Sequence, residues 1–151
     1  MSQPLVAVLM GSTSDEEIME KATSTLKDFD VEYEKKIISA HRNPKKLNAY
    51  VNEAKERGVK VFIAGAGKAA HLGGAIAALT TLPVIAVPIA GNDLGGLDAL
   101  LSMVQMPSGV PVATVAINGS KNAAILATQI LALGDDAIEN RLEKFKADLG
   151  R

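Results

Sequence analysis

Cysteine is absent from this 151-residue chain, and so is tryptophan. Without a thiol there is no disulfide framework, no thiolate zinc site and no cysteine nucleophile. Aromatic residues are scarce as well. Three Phe and two Tyr make up 3% of the sequence, which leaves few rings for stacking nucleic-acid bases. Neither sign of charge dominates: sixteen Lys and Arg stand against seventeen Asp and Glu, a net charge of −1. No basic run is present to grip nucleic acid or an anionic membrane. No uninterrupted apolar stretch approaches the ~20 residues of a spanning helix. The first strand-like run starts at Leu5, with none of the basic and apolar segments of a signal peptide before it. What remains is 48% apolar and 22% charged, the composition of a folded chain rather than a disordered one. One cytoplasmic domain over residues 1–151 is expected, burying roughly 70% of its unfolded surface.

The apolar pattern alternates between two periods. Leu5–Met10 is apolar without alternation, as in a strand covered on both faces. After Gly11, Ser14 and Glu17 have the spacing of a capping box, and Ile18, Ala22, Leu26 and Phe29 stripe one face of a helix. Val31–Ile38 is half polar and suggests an edge strand. Asn43 is a candidate N-cap with Pro44 at the first helical position, and Gly58 is the expected stop of that helix. Val59–Ala64 reads as a strand and Gly65-Ala66-Gly67 as the turn after it, with Ala69, Leu72, Ile76 and Leu79 on the next helix. Val84–Val87 is a short strand ended by Pro88. Residues 90–96 hold three glycines and read as a mobile loop, a candidate lid, before a helix from Leu97. Val110–Ile117 supplies the fifth strand, and two helices follow, the last striped by Ile138, Leu142, Phe145 and Leu149.

Five strands alternating with helices imply a three-layer α/β/α fold, a flavodoxin-like, doubly wound parallel sheet of order 2-1-3-4-5 with a C-terminal helix. Abundant Ala, Gly and Val suit the close approach of such layers. In that order the segments after strands 1, 2 and 3 open at one end of the sheet, where ligands bind. Those segments are Gly11–Asp15, Ser39–Pro44 and Gly65–His71, and they contain both histidines of the chain, His41 and His71.

Each segment has a chemistry. In Gly11-Ser12-Thr13-Ser14-Asp15, backbone N–H groups, hydroxyls and a helix N-terminus favour an oxyanion such as phosphate. Asp15 would repel that anion and suits a neutral diol such as ribose. The segment lacks the glycine spacing of ATP- and dinucleotide-binding loops. In Ser39-Ala40-His41-Arg42-Asn43-Pro44, a guanidinium before a helix N-terminus conflicts with the helix dipole unless an anion relieves it. His41 beside it can take and give a proton near neutral pH. In Gly65-Ala66-Gly67-Lys68-Ala69-Ala70-His71, two glycines permit close backbone approach and three alanines wall a small dry space. Taken singly, each segment also reads as a capped tight turn, a solvated loop or an ion-paired surface. Two histidines without a third ligand at motif spacing make no metal site, and no serine-nucleophile elbow appears.

Together these segments resemble the PurE family, class I, as does Gln105-Met106-Pro107-Ser108-Gly109-Val110-Pro111-Val112-Ala113-Thr114 and its continuation to Ile117. Four blocks in family order span nearly the whole chain. The resemblance implies an N5-carboxyaminoimidazole ribonucleotide mutase of purine biosynthesis, which moves a carboxylate from N5 to C4 without ATP or any cofactor, through trapped CO2. It implies His41 as general acid/base, Ser12 and Asp15 at the substrate, with Asp15 at the ribose, and Arg42 at the phosphate. His71 and Gly65–Ala70 would wall the CO2 site. Ser14, Ser39, Gly67 and Lys68 complete the expected substrate-binding set. Lys68 and Gly73 depart from the usual glycine and proline, and Lys68 is expected to project into water. A homo-octamer is also implied, with the last helix and Met103–Pro107 as contact surfaces. The alternatives are a class II aminoimidazole ribonucleotide carboxylase using free CO2, whose Ala-Gly-Arg-Ser-Asn type segment is missing, and a non-catalytic nucleotide-binding module.

Overall fold

A computed structural model describes residues 3–150. Five parallel strands form one sheet: β1 (Val6–Met10), β2 (Tyr33–Ile37), β3 (Val61–Gly67), β4 (Val84–Ile89) and β5 (Ala113–Thr114), in the order β2-β1-β3-β4-β5. The predicted topology and the edge position of β2 are as read from the sequence. Six α-helices connect and cover the strands: α1 (Glu16–Asp28), α2 (Pro44–Ala54), α3 (Leu72–Leu79), α4 (Leu97–Val104), α5 (Ser120–Ala132) and α6 (Asp136–Leu149).

The strand residues of β1 alternate between two cores. Val6, Val8 and Met10 pack with Met19, Leu26, Ala123, Ala127 and Leu142 beneath α1, α5 and α6. Ala7 and Leu9 pack with Leu47, Val51, Leu72, Ile76 and Met103 beneath α2, α3 and α4. Burial on both faces explains the unbroken apolar run in the sequence. Met103, Ile138 and Leu142 are therefore core residues rather than subunit-contact surface. Apolar side chains that do reach solvent on these elements and the loop before α4 are Leu94, Leu97, Leu101, Val104 and Leu149.

Five features differ from the sequence reading. The capping box of Ser14 and Glu17 does not form; a 3-10 turn at Thr13–Asp15 precedes α1, capped by Ser12, whose Oγ accepts from the Ser14 N–H. Gly65-Ala66-Gly67 is the end of β3, not a turn, and glycine is needed at 65 because the Met19 side chain lies where a Cβ would stand. Ala69 precedes α3 rather than belonging to it. Pro88 lies inside β4, and β5 is two residues long instead of eight. The last two differences share a cause. The Pro88 carbonyl accepts from the Asn118 N–H on the β5 side, but its nitrogen has no proton to continue the ladder there, and Pro111 limits β5 from the other end.

Candidate active site

The loops after β1, β2, β3 and β4 enclose a cleft of about 610 Å3 at the C-terminal end of the sheet. The expected catalytic and substrate-binding residues line it: Ser12, Ser14 and Asp15 from the first loop, Ser39, His41 and Arg42 from the second, Gly67, Lys68 and His71 from the third; of the expected Gly65–Ala70 wall, Gly65 and Ala70 are not in the lining. The fourth wall is Ile89, Ala90, Gly91 and Asn92. Residues 90–92 carry no titratable group, so nothing but the glycine-rich loop pattern marked them beforehand.

Local geometry aims each group. Ser39 shapes its loop, its carbonyl accepting from Asn43 N–H and its Oγ from Arg42 N–H at 3.1 Å. Asn43 then caps α2 through Lys46 N–H, with Pro44 in the first turn as expected. No acidic residue occupies that turn, so the positive end of α2 meets Arg42, Lys45 and Lys46 without internal compensation. In the first loop, the hydroxyls of Ser12 and Ser14 lie 2.5 Å apart. Asp15 is buried beside them, and burial raises its pKa above the ordinary 3.8, opposed only in part by a backbone hydrogen bond at Ser12.

The two histidines meet. His41 Nε2 and His71 Nδ1 are 2.7 Å apart, their rings edge to face with centroids at 4.8 Å. Such a bond needs one N–H and one lone pair, so the pair holds a single shared proton between these atoms. Thirty positions apart in sequence, they are brought together because β2 and β3 flank β1.

The cleft thus brings together the Arg42 guanidinium, the buried Asp15 carboxyl and an imidazole pair, with Ala66 and Gly67 in its lining. A family model described as AIR carboxylase matches residues 5–151. The chain belongs to that family, PurE. The N5-carboxyaminoimidazole ribonucleotide mutase of Pyrococcus abyssi is 54% identical over 151 residues, covering 100% of this PurE chain and 87% of the relative. The mutase of Bacillus subtilis is 54% identical over 144 residues, 94% of this chain and 89% of the other. Among solved structures, Treponema denticola PurE superimposes with a TM-score of 0.89 at 33% identity, covering 98% of this chain and 92% of that one. The flavodoxin-like α/β fold is accordingly that of PurE.

Proposed function

We infer that this PurE chain is an isomerase of purine biosynthesis, converting N5-carboxyaminoimidazole ribonucleotide to its C4-carboxylated isomer. The observation that carries the mechanism is the His41–His71 contact of 2.7 Å inside a cleft that also presents Arg42 and Asp15. Arg42 and the serine loop bind the 5′-phosphate, and Asp15 accepts from the ribose hydroxyls, supported by Ser12, Ser14, Ser39 and Gly67. These contacts lie away from the reacting ring and supply binding energy for its orientation.

The carbamate N–C bond breaks, leaving its electron pair on nitrogen, which takes a proton from the histidine pair. CO2 is retained beside Ala66 and Gly67, which line the cleft, where an apolar wall limits its escape and keeps water out. C4 attacks the CO2 carbon, and His41 then removes the C4 proton and restores the aromatic ring. One proton is lent and one recovered, so no external acid, base, ATP or redox partner enters the balance. His71 holds the His41 ring and shares its proton.

One domain working in the cytoplasm as a homo-octamer fits this reading. No helix among the described residues is long and apolar enough to cross a membrane. The exposed Leu94, Leu97, Leu101 and Val104 lie beside the loop that walls the cleft, and light scattering of the purified protein tests their burial between subunits. The carboxylase alternative is disfavoured because the third loop reads Gly65-Ala66-Gly67-Lys68-Ala69-Ala70-His71 in place of the Ala-Gly-Arg-Ser-Asn type segment. The deciding assay follows C4-carboxylated product from the carbamate without ATP, with and without bicarbonate. Turnover independent of bicarbonate is expected. Product formed only from the decarboxylated nucleotide and bicarbonate would make the protein a carboxylase, and nucleotide binding without turnover would make it a binding module.

A further inference from the structure

Among the described residues, three non-glycine positions have a left-handed backbone: Asp30, Lys68 and Asn118. Asp and Asn tolerate that conformation; lysine gains nothing from it, and such strain gathers at ligand sites. Lys68, at φ 55°, stands on the rim of the cleft. Its Nζ lies 4.0 Å from Asp93 Oδ2, with the side chains 80% and 82% exposed. As expected from the sequence the amine is in solvent, yet its ionic partner among the described residues belongs to the neighbouring loop after β4, which forms the adjoining wall. An exposed pair at that distance binds weakly, so the ammonium is free to exchange Asp93 for a better anion.

The cleft itself supplies a reason to exchange. Among the residues lining it, Arg42 and Lys68 are the permanent cations and Asp15 is the carboxylate. Arg42 follows β2 and Lys68 follows β3, on opposite sides of the β1 loop that carries Asp15. A nucleotide with its phosphate at Arg42 and ribose at Asp15 directs its base toward the third loop, where His71 meets His41. A carboxylate on that base then lies on the Lys68 side, out of reach of the cation that serves the phosphate.

We propose that Lys68 is a specificity-determining residue that releases Asp93 and pairs with the carboxylate of the bound nucleotide, so that the cleft discriminates carboxylated from uncarboxylated aminoimidazole ribonucleotide. The proposal rests on the mutase reading for the ligand's identity, and its test is chosen to need no turnover. Calorimetric titration compares the C4-carboxylated nucleotide with the uncarboxylated one, for the native protein, Lys68→Gly and Asp93→Asn. Glycine accepts the backbone angle, so the first variant keeps the fold, which a thermal melt verifies. Lys68→Gly should weaken the carboxylated ligand about fivefold, the scale of a part-exposed ion pair, and leave the uncarboxylated one within twofold. Asp93→Asn should tighten the carboxylated ligand about twofold. Added salt should erode the preference of the native protein and not that of Lys68→Gly. Equal weakening of both ligands would make Lys68 a loop clasp and overturn the proposal, as would an unchanged preference. Absence of mutase turnover in the native protein would instead remove the functional reading while these affinities still judge Lys68.

Discussion

Gly65→Ala tests whether the floor of the cleft is held by the packing described. Gly65 lies in β3, two residues before Gly67 at the cleft wall, and pairs with Met10 of β1. An added Cβ would overlap Met19 Sδ and stand 3.0 Å from both Cγ and Cε. Met19 is fully buried in the α1 core, so the whole side chain must move within a filled space. Overpacking of this kind costs about 1–3 kcal/mol. For a chain of this length each kcal/mol moves Tm by about 2–4 °C, so a fall of roughly 2–12 °C is expected at matched protein concentration. Met19→Ala alone should cost about 2–5 kcal/mol through its cavity. In the double variant the new methyl group occupies part of that cavity. Its loss should therefore fall short of the sum of the single losses by about 1 kcal/mol or more. Denaturant unfolding of the four proteins closes the cycle. A Gly65→Ala Tm within 1 °C of native, or strictly additive losses, would refute the packing account.

Two further perturbations act through charge. Glu34 accepts from Arg57 Nη2 at 2.7 Å, from Arg57 Nε at 3.2 Å and from the Tyr50 hydroxyl, and the guanidinium stacks over the Tyr50 ring at 4.7 Å. Burial opposes the Glu34 charge, but the Arg57 and Tyr50 hydrogen bonds outweigh it and hold the carboxyl below its ordinary 4.5. That stability is present above the unfolded value and is lost as pH falls through the folded one. Glu34→Gln should cost about 1 kcal/mol at pH 7 and flatten the acid limb of a pH–stability curve; an unchanged limb would exclude the cluster from acid unfolding. Asp15 has the opposite sign. Its raised pKa means the folded state keeps a proton the unfolded state has released, so stability falls as pH rises from 3.8 through the folded value. Asp15→Asn should therefore melt higher than native at pH 7 while binding nucleotide about tenfold or more weakly, and lower stability with unchanged affinity would contradict its place at the ribose.

The topology and the cleft were legible because both rest on period and order. Runs such as Val6–Met10 are apolar without alternation since α1 and α5 cover one face and α2 and α3 the other. The order of the strands then brings the three polar loops to one end. What local reading missed was decided by contacts far away in the chain. Gly65 and Gly67 look like turn residues, yet Gly65 pairs with Met10 and Val87 within the sheet, and the space a Cβ would take there is filled by Met19 from a different element. Pro88 looks like a strand end, yet β4 continues through it because Pro88 and Ile89 still pair with Ala66 and Gly67 of β3 on the other side. Ser12 outcompetes Ser14 as the cap once a 3-10 turn precedes α1. Of the apolar stripe on the last helix, Ile138 and Leu142 are buried within the chain and Phe145 meets Phe29 edge to face at 5.3 Å, while Leu149 stays exposed.

His41→Asn is the most direct measurement of the proposed chemistry. Asparagine retains a hydrogen-bonding group facing His71 and leaves Arg42, Asp15 and the serine loop in place, but it cannot take and return a proton near neutral pH. Affinity for the aminoimidazole ribonucleotide, titrated by calorimetry, should stay within about threefold of native, while carbamate turnover drops about 100- to 10,000-fold, the share general acid–base catalysis commonly supplies. Turnover within a few-fold of native at undiminished affinity would show that the proton travels by another route.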